Sequence, residues 1–161
     1  MKRRALVLLL LPLLQVSSLW HEKLDIIHAE TVTPRRAEYD AAVRVAARTA
    51  CPSYATLVGA AAVDNHLPAR VVAAVVFVES SCNPSAVSSE GAVGLMQVSP
   101  KLYRQNRARL HDPEYNIRLG TKILAGYVHT YGLREGLHRY NGLGAGGELY
   151  SPRVLAVAYR R

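Results

Sequence analysis

Apolar side chains recur along this chain at helical rather than alternating intervals, and the polar positions between them mark where each helix begins and stops. Residues 35–49 are rich in Ala and Arg, with apolar positions spaced as on one face of a helix. Pro52 suits the first turn of a second helix ending near His66, and Pro68 opens a third that runs to about Ser81. That third segment holds the uncharged run Val71-Val72-Ala73-Ala74-Val75-Val76-Phe77-Val78. Period alone also allows a buried strand at 71–78, yet the span from Pro68 to Ser81 suits a helix better. Residues 82–98, with Pro84, Ser85, Ser88, Ser89, Gly91 and Gly94, read as turn-forming chain with room for a short hairpin. Residues 101–110 predict a short helix. Asp112-Pro113 is an N-cap and first-turn pair for a long one to Tyr131, stopped by Gly132. Two last helices, 134–140 and 151–159, flank a glycine-rich loop from Gly142 to Gly147. The fold class is therefore mainly α, a single domain with a loop or short hairpin after the third helix.

Glu79 breaks this pattern. It lies in phase with Val72, Val75 and Val76, on the stripe expected to face the core. Burial there raises a carboxyl pKa, and the negative pole of a helix ending near Ser81 also favours the protonated form. Such a group is a candidate proton donor near neutral pH. By position alone, a Glu beside an apolar run is more often a helix-end residue turned toward solvent. Its neighbours in sequence change that balance.

Glu79-Ser80, Asn83-Pro84, Ala86, Ser88, Gly91-Ala92, Gly94-Leu95-Met96-Gln97 and Pro100 resemble the catalytic signature of the soluble lytic transglycosylases, peptidoglycan-cleaving relatives of goose-type lysozyme. Tyr140-Asn141-Gly142 resembles the family's Tyr-Asn motif, and Tyr150 with Pro152 to Leu155 its last segment. The resemblance spans about residues 50–159, with its elements in the family's order. It implies a lysozyme-like domain over 50–161, preceded by an N-terminal extension with a helix over 19–49.

It also implies a reaction. Glu79 protonates the oxygen of the β-1,4 bond between N-acetylmuramic acid and N-acetylglucosamine. The acetamido group of the muramic sugar then steadies the anomeric cation, and ionised Glu79 takes the proton of that sugar's C6 hydroxyl, closing a 1,6-anhydro ring. One acid/base residue suffices, unlike the two carboxylates of ordinary glycosidases. The implied substrate-binding set is Ser88, Met96, Gln97, Tyr140, Asn141 and Tyr150. Ser88 and Gln97 match positions near the acetamido group, Tyr140 matches a tyrosine beside the acid, and Asn141 braces the fold behind it. Tyr103 joins Tyr140 and Tyr150 as a candidate wall of a sugar groove, whereas Tyr39 and Tyr127 read as core rings with hydroxyls at the surface. Arg139 and Ser99 depart from the family pattern, which implies altered substrate contacts rather than lost activity. Were one of Asp64, Glu90, Asp112, Glu114, Glu135 or Glu148 placed opposite Glu79, the chain would be a hydrolytic lysozyme. A glycan-binding or assembly factor that kept only the fold is the non-enzymatic alternative.

Composition and charge place this chemistry. At 161 residues with 50% apolar content the chain can bury one core. Residues 1–18 read as a secretory signal: Met1-Lys2-Arg3-Arg4, a leucine-rich stretch to Leu14, and small residues at Val16-Ser17-Ser18. An uncleaved anchor, prolonged by Leu19 and Trp20, is the alternative and the only membrane contact expected. The net charge is +8, three of it from the leader. An exported basic chain meets an acidic wall polymer, and there is no RNA-binding signature or zinc-finger spacing to indicate nucleic acid. Cys51 and Cys82 fit an oxidising periplasm or cell envelope, where their pairing closes a loop worth roughly 3–4 kcal/mol; two separately buried thiols are the alternative. His21, His28, His66, His111, His129 and His138 show no ligand spacing, so no metal or other cofactor is expected. The partners are peptidoglycan strands and, by analogy with small specialised members of the family, a secretion, pilus or conjugation apparatus.

Overall fold

The uncharged run at 71–78 forms the axis of the fold. The computed structural model describes residues 34–142 and 147–160 with Trp20 and Lys23; the expected leader, most of the segment to residue 33 and most of the glycine-rich loop lie outside the described residues. Helix α3, Ala69–Ser80, carries six consecutive residues from Val71 to Val76 with no exposed surface. Two helices, Ala55–Asp64 and Gly147–Ala158, pack against it, so an apolar run without a polar stripe is satisfied as a helix and needs no sheet. Each buried valine contributes roughly 1.5–3 kcal/mol of transfer free energy.

The other helices are α1 over 34–49, α2 Ala55–Asp64, α4 Pro113–Tyr131, α5 Leu133–Tyr140 and α6 Gly147–Ala158. The mainly-α class is as expected, with no sheet among the described residues. A single 3-10 turn, Pro52–Tyr54, leads into α2. Within the unit Glu38–Arg161, α1 brings Ala46 into the core and lays Val43 on Gly59 of α2, where a Cβ would meet it at 2.8 Å. The Tyr39 hydroxyl donates to Asp64, joining the same two helices. Asp112 caps α4 as its sequence predicts, its Oδ1 accepting from the Tyr115 N–H at 2.7 Å. Gly132 ends that helix, donating its N–H to Val128.

Two expectations need correction. Residues 101–110 do not form one helix: only Ala108–His111 makes a 3-10 turn. Arg104 takes a left-handed conformation, with φ 52°, and Gln105 and Asn106 spend their side chains on local backbone groups, which competes with helix formation. The last helix begins at Gly147 rather than 151 and carries Pro152 inside it.

Between α3 and α4 the chain makes a lobe with almost no regular structure. Two isolated antiparallel bridges, Val87 to Val93 and Val93 to Val98, are all that forms of the hairpin. What fixes this lobe is Asn116 on α4, which is fully buried. Its Oδ1 accepts from the Met96 N–H at 2.8 Å, and its Nδ2 donates to the carbonyls of Val93 at 2.9 Å and Leu110 at 2.8 Å. Gly94 lies so close that a Cβ would fall 2.3 Å from Asn116 Nδ2, and its φ of 80° suits glycine.

Candidate active site

Glu79 is the second-last residue of α3, and three features fix that end of the helix. Ser81 terminates it in a left-handed conformation, donating its N–H to Phe77. Cys82, also left-handed, is joined by a disulfide to Cys51, just before the turn leading into α2. The Ser80 hydroxyl lies 2.9 Å from the Val76 carbonyl and 3.0 Å from that of Leu95, tying the helix end to the following lobe. A side chain presented from such an end has little freedom to turn away.

The electrostatics follow from burial. The Glu79 carboxyl is pushed from 4.5 up to about 7, chiefly by desolvation, against the opposing effects of a hydrogen bond from Tyr150 and the positive charge of Arg153. Tyr150 is buried, and its hydroxyl donates to Glu79 Oε1 at 2.5 Å. The next residue, Ser151, donates its hydroxyl to the Arg134 carbonyl at 2.6 Å, anchoring α6 on α5. Tyr140 donates to the Met96 carbonyl at 2.8 Å. Burial, then the nearby Glu79 carboxylate, pushes both tyrosine hydroxyls well above their usual ionisation. They therefore remain neutral donors beside a carboxyl that exchanges its proton around neutrality.

The lobe supplies the remaining groups. Gln97, in the left-handed region with φ 47°, donates its Nε2 to Gly94 at 2.9 Å and Ala86 at 3.2 Å. Its amide oxygen is left as an acceptor. Ser88 Oγ accepts from the Ala92 N–H at 3.0 Å, which leaves its own proton for donation. Met96 corrects the expected substrate-binding set: its side chain has no exposed surface, lies against Gly120 and takes a contact from Thr121 Oγ1 at 3.5 Å. It shapes the lobe from inside rather than offering a face to a sugar. Asn141 caps α5 through its N–H, but its side chain is exposed and makes no hydrogen bond among the described residues. It braces nothing. Arg139 pairs with Glu135 at 2.7 Å and lies 4.1 Å from the Tyr131 ring, so its cation is spent on the α4–α5 corner. Ser99 accepts from the Leu102 N–H and stabilises a turn.

Asn116 is the residue that motif reading missed. The signal was present: it shares the core face of α4 with Gly120, Thr121 and Leu124, and a polar residue in such a stripe needs partners. Tyr127 differs too. With Tyr103 it lines an open groove of about 530 Å³ beside α4, where a core ring was expected. Among the described residues no three His, Cys, Asp or Glu side chains converge as metal ligands do.

The arrangement offers one protonatable carboxyl, two neutral hydroxyl donors and a lobe with amide and hydroxyl groups. The profile of the family described as Transglycosylase SLT domain matches residues 56–148, from α2 through the lobe to the start of α6. The chain is similar to a transglycosylase of Enterobacteria phage PRD1, at 38% identity over 53% of this chain and 33% of that protein. It is also similar to the membrane-bound lytic murein transglycosylase E of Buchnera aphidicola subsp. Acyrthosiphon pisum, at 37% over 35% of this chain and 31% of the relative. The membrane-bound lytic murein transglycosylase C of Yersinia pestis matches at 35% over 60% of this chain and 32% of the relative. The matches thus cover about a third of the length of each of these relatives. With a profile that takes in Glu79, the Gly94–Gln97 turn, Asn116 and Tyr140, the chain belongs to the transglycosylase SLT domain family.

Proposed function

We propose that the protein is a peptidoglycan lytic transglycosylase that cleaves the β-1,4 bond between N-acetylmuramic acid and N-acetylglucosamine, using Glu79 first as acid and then as base. Neutral Glu79 gives its proton to the bridging oxygen as the bond to the muramic anomeric carbon breaks. The muramic acetamido carbonyl supports that carbon while Glu79 is ionised. The carboxylate then removes the C6 hydroxyl proton, the C6 oxygen bonds to the anomeric carbon, and Glu79 ends the cycle protonated with no water consumed.

The observation carrying this reading is that Glu79 is held near a pKa of about 7 by burial, and the polar groups acting on it are Tyr150 and Arg153 rather than a second carboxylate. One group whose proton is balanced near neutrality can serve both steps. Ser88 and the Gln97 amide oxygen are the polar contacts proposed for the acetamido end, and Tyr140 and Tyr150 stand at the acid. Glu79→Gln tests the assignment, because it keeps shape and hydrogen bonding but has no proton to transfer. Wall binding is expected to survive and clearing of a wall suspension to vanish; equal clearing by both proteins contradicts it.

We read the site of action as the cell envelope, reached through the basic and apolar leader, where the cut serves a secretion, pilus or conjugation apparatus. A gene deletion checks this: lost assembly with normal growth is expected, and unaffected assembly contradicts it.

A further inference from the structure

Gly59, Gly120 and Gly136 sit inside helices for a steric reason. A Cβ at each would meet Val43 at 2.8 Å, Met96 at 2.6 Å and the Val128 backbone at 2.6 Å, respectively. Gly126, in the middle of α4, has no such reason: a Cβ there would meet nothing within 4 Å. Glycine is a poorer helix former than alanine, so packing leaves this position unexplained. What Gly126 does is lower the floor of the groove of about 530 Å³ whose walls are Tyr103, Ile123, Tyr127 and Tyr131, with Lys122 along it.

The groove comes close to Tyr140 along the α4–α5 corner, since Arg139, the residue before Tyr140, lies 4.1 Å from the ring of Tyr131 in the groove wall. Its polar inventory is short. Tyr103 and Tyr127 bring two hydroxyls to the lining, and Thr130 donates its hydroxyl to the Gly126 carbonyl at 2.8 Å. Lys122 is the one ionic group in the lining, exposed and without a carboxylate partner among the described residues. The lining offers few directional partners for the acetamido and hydroxyl groups by which a sugar is recognised. A short chain bearing methyl groups and a carboxylate would not.

We propose that this groove seats the peptide stem carried by the muramic sugar, with its alanine methyls on the tyrosine rings and a carboxylate paired with Lys122. The inference rests on the peptidoglycan reading above. Two variants test it: Lys122→Gln removes the charge, and Gly126→Phe fills the floor at a helical position with open space above it. Calorimetric titration with a synthetic stem peptide is expected to show binding to the parent protein, weakened about fivefold by Lys122→Gln and abolished by Gly126→Phe. In cleavage assays both variants are expected to lower kcat/KM on stem-bearing strands and leave turnover of amidase-stripped strands unchanged.

A parent protein that binds no stem peptide overturns the proposal, as does a parallel loss of turnover on stripped strands, which would mean that the groove takes sugar. Peptide binding without cleavage of either strand contradicts the transglycosylase reading alone. Cleavage of both strands alike without peptide binding contradicts this inference alone.

Discussion

Desolvating the Glu79 carboxyl is a cost to the fold, and that cost has a sign that pH reveals. The carboxyl binds a proton more tightly when folded, at about 7, than at its ordinary 4.5. Below about 4.5 it is neutral in both states and its burial is unpenalised; as pH rises through about 7 the folded protein must hold a buried charge, a penalty levelling at about 3 kcal/mol. Glu79→Gln is therefore expected to leave stability unchanged at pH 4 and to raise it by a few kcal/mol at pH 8. Thermal denaturation at the two pH values checks this, and a variant less stable at pH 8 contradicts it. Tyr150 acts on the same proton in the opposite sense, since its hydrogen bond favours the carboxylate. In the parent protein kcat/KM is expected to fall as pH rises through about 7. In Tyr150→Phe the carboxylate loses a donor, so the midpoint moves to higher pH; a midpoint that stays or falls removes Tyr150 from this role.

The lobe between α3 and α4 is an element held by side chains rather than by a ladder. Asn116 supplies three of its bonds from a fully buried position. Asn116→Ala strands the Met96 N–H and the Leu110 carbonyl in the core, while the Val93 carbonyl keeps its bond from the Val98 N–H. The expected loss is roughly 2–4 kcal/mol with disproportionate loss of activity, because Ser88, Gln97 and the Tyr140 contact at Met96 all depend on that lobe. Paired melting and activity measurements check it. The helices were legible where a local signal sets them, as with Asp112-Pro113 at the start of α4. The 101–110 segment was not, because Gln105 and Asn106 bond back to their own backbone, a choice made by neighbours and not by period. The desolvation of Glu79 was legible through its helical phase. Met96, included in the substrate-binding set by the motif, packs inside the lobe, since a signature records which residues recur and not which way they face. Asn141, expected as a brace, caps α5 through its backbone N–H, a role the motif does not reveal.

At the scale of the molecule, the unit Glu38–Arg161 packs α2 and α6 on α3, and the Glu79 end of α3 is fixed to α2's entry by the Cys51–Cys82 disulfide. Removing it with Cys51→Ala/Cys82→Ala releases a 31-residue separation, and the expected loss is roughly 3 kcal/mol, or about 10 °C in Tm. A calorimetric scan that finds the double variant as stable as the parent contradicts a stabilising bridge. At this scale the central claim is that one carboxyl, gripped by Tyr150 at the end of a buried helix, performs both proton transfers without water. Mass spectrometry of wall fragments released in heavy-oxygen water tests it most directly. The expected fragments end in 1,6-anhydro muramic acid, lighter by one water than reducing ends and free of heavy oxygen. Reducing ends that carry the heavy label would mean that water attacks the anomeric carbon, and the single-residue cycle assigned to Glu79 would be wrong.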